Sequence, residues 1–197
     1  SFVDIDRINQ KRMNIIIDPM FGSGIGYFKR LGINCTEIRG VRDPLFGGIN
    51  PEPVPANLSS SMEYTRESAQ KNPGQLTVCI ILDGDADRLA AIDATGKFIN
   101  THQIFVLLLH QLVVHRKLNG RVIKTFNLSN LIDQFCQAYK LPLEVIPIGF
   151  KHIAKKMIEE DVLLGGEESG GMGVKGNIPE RDGVLAGLML LELMARE

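Results

Sequence analysis

The stretch DGDADR, Asp83 to Arg88, places three carboxylates at alternate positions of one short turn, directly after the apolar run Leu76 to Leu82. Like charges this close repel, and each ionised carboxylate needs a counter-ion. A hard divalent cation with a preference for oxygen, Mg²⁺ first, meets that need. Gly84 and Ala86 are small enough to let Asp83, Asp85 and Asp87 fold inward as metal ligands. A solvated acidic turn is the plainer alternative. A calcium-binding EF-hand loop fails on spacing: its sixth position is Arg88 instead of Gly, and its twelfth is Ala94 instead of Glu. Arg88 is either an ion-pair partner of these aspartates or a fork for a phosphate.

A second unusual stretch is GGEESGG, Gly165 to Gly171. Glycine lets a backbone approach a ligand closely, and Glu167 and Ser169 could hydrogen-bond a polyol, although a flexible surface loop would read the same way. Glu167→Ala is therefore expected to lower turnover with little effect on folding. Ser169 is no elbow nucleophile, because GxSxG needs Gly at position 167. Lys151 follows Gly149 at the start of a helical run, where its charge opposes the helix dipole. That makes it a candidate for holding an anion or moving a proton. FGSGIG, Phe21 to Gly26, lacks dinucleotide-loop spacing and reads as a strand-to-helix turn. His102, His110 and His115 lack matched ligand spacing and suit solvated or capping roles, and the Leu188 to Met194 stripe suits the core.

The elements that must carry these residues alternate between buried-strand and amphipathic-helix patterns, as in an α/β fold. Strands are expected at Asn14 to Ile17, Asn34 to Ile38, Leu76 to Leu82 and Leu89 to Asp93, with helices at Gly24 to Leu31 and Leu58 to Lys71. The segment Asp43 to Pro55 holds too many glycines and prolines for regular structure. A long helix from Thr101 to about Lys117, capped by Asn100 or Thr101, opens a second series. In that series strands fall at Arg121 to Thr125, Leu143 to Ile146 and Val162 to Leu164. Its helices fall at Leu131 to Tyr139, Phe150 to Glu160 and Asp182 to about Arg196.

The chain has 197 residues, 44% hydrophobic and 23% charged, which suffices for a buried core without disulfides. A net charge of −1 leaves no positive field to hold a nucleic acid or an anionic membrane. The apolar runs Ile104 to Leu109 and Val184 to Leu191 are too short to span a bilayer. Cys35, Cys79 and Cys136 are scattered and read as buried thiols in a reducing compartment. The first residues lack the apolar core of a signal peptide and begin with Ser, so the sequence reads as part of a longer cytoplasmic chain.

Together these stretches resemble the α-D-phosphohexomutases, the phosphoglucomutase and phosphomannomutase superfamily. DGDADR resembles that family's metal loop, GEESGG its sugar-specificity loop, and IPERDG, Ile178 to Gly183, the usual continuation. DPMFGSG, NPEPVPANL and IGFKHIAKKM also resemble family sequence, in the family order. The resemblance covers the second and third of four domains. It implies two consecutive three-layer α/β domains with mixed, mostly parallel sheets, residues 1–100 carrying the metal loop and residues 101–197 the sugar loop. The family's phosphoserine domain and phosphate-clamping fourth domain have no counterpart here, so this segment is expected to be inactive alone.

Carried over position by position, the resemblance implies Mg²⁺ on Asp83, Asp85 and Asp87, with Arg88 facing phosphate. It implies Glu167 and Ser169, with Gly149, on the sugar, and Lys151 as general acid/base or phosphate contact. Hexose phosphate and hexose bisphosphate would be the small-molecule partners. Two departures bear on the sugar: Gly171 stands where some members have His, and Lys124 where Arg is frequent. GEESGG leans toward glucose or mannose phosphates over N-acetylglucosamine phosphate. Competing readings are a Mg²⁺-dependent phosphatase with an aspartate nucleophile and a non-catalytic sugar-phosphate binding module.

Overall fold

The computed structural model describes residues 2–197. The first half builds a five-stranded sheet from β1 (Asn14–Asp18), β2 (Thr36–Glu37), β3 (Thr77–Leu82), β4 (Leu89–Asp93) and β5 (Phe98–Ile99). The strand order is β2-β1-β3-β4-β5, with β2, β1 and β3 parallel and β4 and β5 antiparallel to their neighbours. The second half builds a four-stranded sheet from β6 (Arg121–Thr125), β7 (Leu143–Ile146), β8 (Val162–Gly166) and β9 (Met172–Val174), in the order β7-β6-β8-β9. Only β9 is antiparallel there. The fold is α/β with two mixed sheets flanked by helices.

Strand periodicity divides the core. Val78, Ile80 and Leu82 of β3 enter the main cluster, whereas Cys79 and Ile81 face a smaller one closed by Leu58 and Met62 of the helix α3 (Ser59–Lys71) and its cap. On the second sheet, Ile123 and Ile146 meet Phe150 and Ile153 of α6 (Phe150–Glu159). The main cluster is continuous across both halves. It is bridged by α4 (Thr101–His110) and α7 (Gly183–Arg196), and α7 packs on β3 and β4 as well as on β9. Gly187 permits that approach: a Cβ there would stand 3.0 Å from Ile80 and 3.1 Å from Phe28.

Several elements depart from the sequence expectation. The helix expected from Gly24 contracts to α2 (Tyr27–Arg30), because Gly24 and Gly26 occupy the preceding turn and Gly26 has φ 75°. The strand expected at Asn34 to Ile38 pairs only over β2, at the sheet edge. An unexpected short helix, α1 (Ile5–Gln10), is capped by Asp4 and packs on α7. Helix α4 starts with a reciprocal capping box between Asn100 and Gln103, and widens into a π turn over Gln111–His115. The buried Glu192 of α7 sits against that turn, receiving hydrogen bonds from Gln111 at 2.9 Å, Arg196 at 2.9 Å, and Arg116. Strand β8 continues through Gly165 and Gly166, which act as packing residues: Cβ atoms there would stand 2.3 Å from Ile153 and 2.8 Å from Phe105.

Candidate functional site

The acidic loop emerges from the buried end of β3 and is held from four sides. Ser23 donates to the Gly84 carbonyl at 2.9 Å, and Gly84 donates to the Pro51 carbonyl at 3.1 Å. Gly183, at the start of α7, donates to Ala86 at 3.2 Å, and Leu89 donates to Gly170 at 3.1 Å. Arg88 and Gly171 form a further antiparallel bridge. Two turns distant in sequence are thus stitched into one site. The glycines of GEESGG serve this contact: Gly170 has φ 105° and a Cβ there would lie 2.8 Å from the Leu89 carbonyl, while one on Gly171 would meet Arg181 at 2.3 Å.

Ligand atoms of Asp83, Asp85 and Asp87 all lie within 4.8 Å of one another. Asp83 is fully buried and accepts from the Asp87 and Arg88 amides at 3.0 Å each, and from the Arg88 guanidinium. Arg88 also reaches Glu52 at 3.6 Å. Asp87 is paired with Arg181 at 2.6 Å through one oxygen. Its other oxygen is buried without a hydrogen-bond partner among the described residues. Burial, followed by the Asp83 charge, pushes the Asp87 carboxyl up to about 6 and raises Asp85 as well. An all-oxygen donor set with an orphaned acceptor, and with Asp83 still raising both of its neighbours despite two arginines, fits a hard divalent cation such as Mg²⁺.

Sequence reading missed Arg181. Its pairing with Asp87 closes the loop from the second half of the chain, and no local pattern in IPERDG signals so distant a partner.

The sugar-loop residues separate. Glu167 is buried, and one of its carboxylate oxygens accepts from the Gly149 amide at 2.7 Å. It therefore anchors the turn that starts α6 to the end of β8. Glu168 and Ser169 are exposed and line a cleft of about 300 Å³ between the two sheets. Its other walls include Arg88, Glu52, His102 and the Pro53 to Pro55 segment. Lys151 is exposed at the first turn of α6 and outside this cleft's lining. Asp85 opens on another hollow of about 490 Å³, beside Ser23 and Leu185. Ser61, one of the serines of the NPEPVPANL segment's following helix, is buried and donates to Asp18 at 2.5 Å.

Two α/β units, each a mixed sheet flanked by helices, are thus joined at a carboxylate-rich strand end. Residues 1–96 match the model for phosphoglucomutase/phosphomannomutase alpha/beta/alpha domain II, and residues 100–197 match that for domain III. The chain belongs to the phosphoglucomutase/phosphomannomutase family. It is 28% identical over its whole length to a phosphoglucosamine/phosphogalactosamine mutase of Sulfurisphaera tokodaii, covering 43% of that protein. A phosphoglucomutase/phosphomannomutase of Thermococcus kodakarensis is 28% identical over 98% of the chain, which covers 42% of that protein. A phosphomannomutase-family crystal structure from Thermus thermophilus superposes with a TM-score of 0.86 at 34% identity, over 98% of this chain and 44% of the other. The chain thus spans about two fifths of the length of these relatives. No helix among the described residues is long and apolar enough to cross a membrane.

Proposed function

We propose that this chain supplies the metal and sugar centres of an enzyme interconverting hexose 1-phosphate and hexose 6-phosphate through a bisphosphate intermediate. Flanking domains would contribute the phosphoserine and the phosphate clamp. The observation that carries the reading is the direct joining of the acidic loop to the glycine loop, Leu89 to Gly170 at 3.1 Å. It supports the reading by setting the acidic turn and the cleft of about 300 Å³ beside each other.

Asp83, Asp85 and Asp87 would hold Mg²⁺, which when bound polarises a phosphoryl group and offsets the charge developing during transfer. Arg88 links the two regions, because its guanidinium meets Asp83 while its side chain lines the cleft. Arg181 holds Asp87 in place from the α7 side. Ser169 offers its hydroxyl to the sugar. Glu167 fixes Gly149, and with it the start of α6, so that Lys151 stands near the glycine loop as proton carrier or phosphate contact. The buried thiols Cys79 and Cys136 suit a reducing, cytoplasmic setting.

The test restores the flanking domains and follows glucose 1-phosphate conversion to glucose 6-phosphate. Turnover is expected in the parent protein and is expected to disappear in Asp83→Ala. Undiminished activity in that variant overturns the metal assignment.

A further inference from the structure

We infer that His102 is a sugar-binding residue of the interdomain cleft, donating its Nε2–H to a hydroxyl of the hexose ring held opposite Ser169. The inference rests on the mutase reading of this cleft and assigns a residue to it.

His102 lies in the first turn of α4 and lines the cleft together with Ser169, Glu168, Arg88 and Glu52. Its Nδ1 accepts the Ser129 amide proton at 3.2 Å. That nitrogen therefore carries no proton, and the ring's N–H is at Nε2. The amide that fixes this tautomer is itself fixed. The buried Lys124 donates to the Leu128 carbonyl at 3.3 Å and the Ser129 carbonyl at 3.2 Å, and pairs with Asp133. Lys124 thus braces the turn that orients His102, a second support behind a first contact.

Charge selects the part of the ligand. Two carboxylates, Glu52 and Glu168, line the cleft against the single guanidinium of Arg88, and that cation is already shared among Asp83, Asp87 and Glu52. Such a wall repels a phosphate dianion. It suits hydroxyls, which give protons to carboxylates and accept one from a neutral imidazole. The cleft volume of about 300 Å³ is at the lower end for small-molecule sites and is of a size for a single sugar ring.

The test is a titration, in magnesium buffer, of the protein with its flanking domains restored, reading the His102 ring resonances and the Ser169 amide by NMR. Glucose 1-phosphate is expected to shift both signals with one shared dissociation constant, and inorganic phosphate to leave His102 unmoved. His102→Ala is expected to weaken the glucose 1-phosphate constant about tenfold, and His102→Gln, which can accept from Ser129 and still donate, to restore most of it. A Ser169 signal that moves while His102 stays still overturns the inference and leaves the cleft reading intact. A His102 shift of equal size with inorganic phosphate also overturns it. Should neither residue respond to glucose 1-phosphate, the mutase reading of this cleft falls, and the role of His102 with it.

Discussion

The Leu89 amide donates to the Gly170 carbonyl across 3.1 Å, so the strand leaving the acidic loop is hydrogen-bonded to the glycine loop of the other sheet. Gly170→Ala tests this joint. Its φ of 105° is strained for any side chain, and the new Cβ would press on the Leu89 carbonyl at 2.8 Å. Unfolding free energy is expected to fall by about 1–3 kcal/mol in urea titrations, with mutase turnover of the restored protein falling more steeply than its stability.

Glu167→Ala measures a side chain whose expected role the geometry changes. A sugar contact alone would leave folding untouched, yet its carboxylate is buried and holds the Gly149 amide at 2.7 Å. A thermodynamic cost of about 1.5–3 kcal/mol is therefore expected from the lost charge-assisted bond, alongside lower turnover. Lys151→Ala, at an exposed position, should leave the melting temperature unchanged and cut turnover about 100-fold if it carries the proton.

Magnesium and protons should compete at Asp87. Burial and then the Asp83 charge raise this carboxyl to about 6 against the pull of Arg181. A raised carboxyl holds its proton more tightly folded than unfolded, so the metal-free fold loses stability as pH rises from about 4 toward 6. Added Mg²⁺ is expected to raise the melting temperature at neutral pH, and progressively less below about pH 6. Asp87→Asn should gain stability without metal and lose the metal response. An equal response in that variant would contradict the ligand assignment.

Glu192 makes the opposite pH prediction. Burial raises its carboxyl, but hydrogen bonds from Arg116 and Arg196 outweigh burial and hold it below the ordinary carboxylate range. Its stabilisation is complete above the unfolded value of about 4.3 and is lost as pH falls through the folded one. Glu192→Ala leaves two arginines facing a buried gap and is expected to cost about 3–5 kcal/mol at neutral pH. Glu192→Gln should show a smaller drop in urea midpoint between neutral and acid pH than the parent chain.

Local pattern made much of this molecule legible. β3 and the turn that follows it, the cap at Asn100, and the helices bearing Lys151 and the Leu188 to Met194 stripe stand where apolar runs and breakers indicated. Short edges were harder: β9 has three residues, too few for periodicity to register, and β2, expected over Asn34 to Ile38, pairs over only two. Long-range contacts were illegible. Arg181 meets Asp87 across the two halves of the chain, and Lys124 reaches His102 through Ser129 within the second, contacts that no sequence window records. The glycines at positions 165, 166, 170 and 171 pointed to a ligand but answer to neighbouring protein atoms.

Helix α7 is encoded in the second unit yet roofs β3 and β4 of the first. Severing the chain near residue 100 would therefore produce no independently stable halves: one product would lose its lid, and the other would carry a greasy rod with nowhere to lie. The apparent tandem should melt as one cooperative block in a calorimeter, and any engineering that swaps one unit for a relative's must carry α7's contact surface along with it.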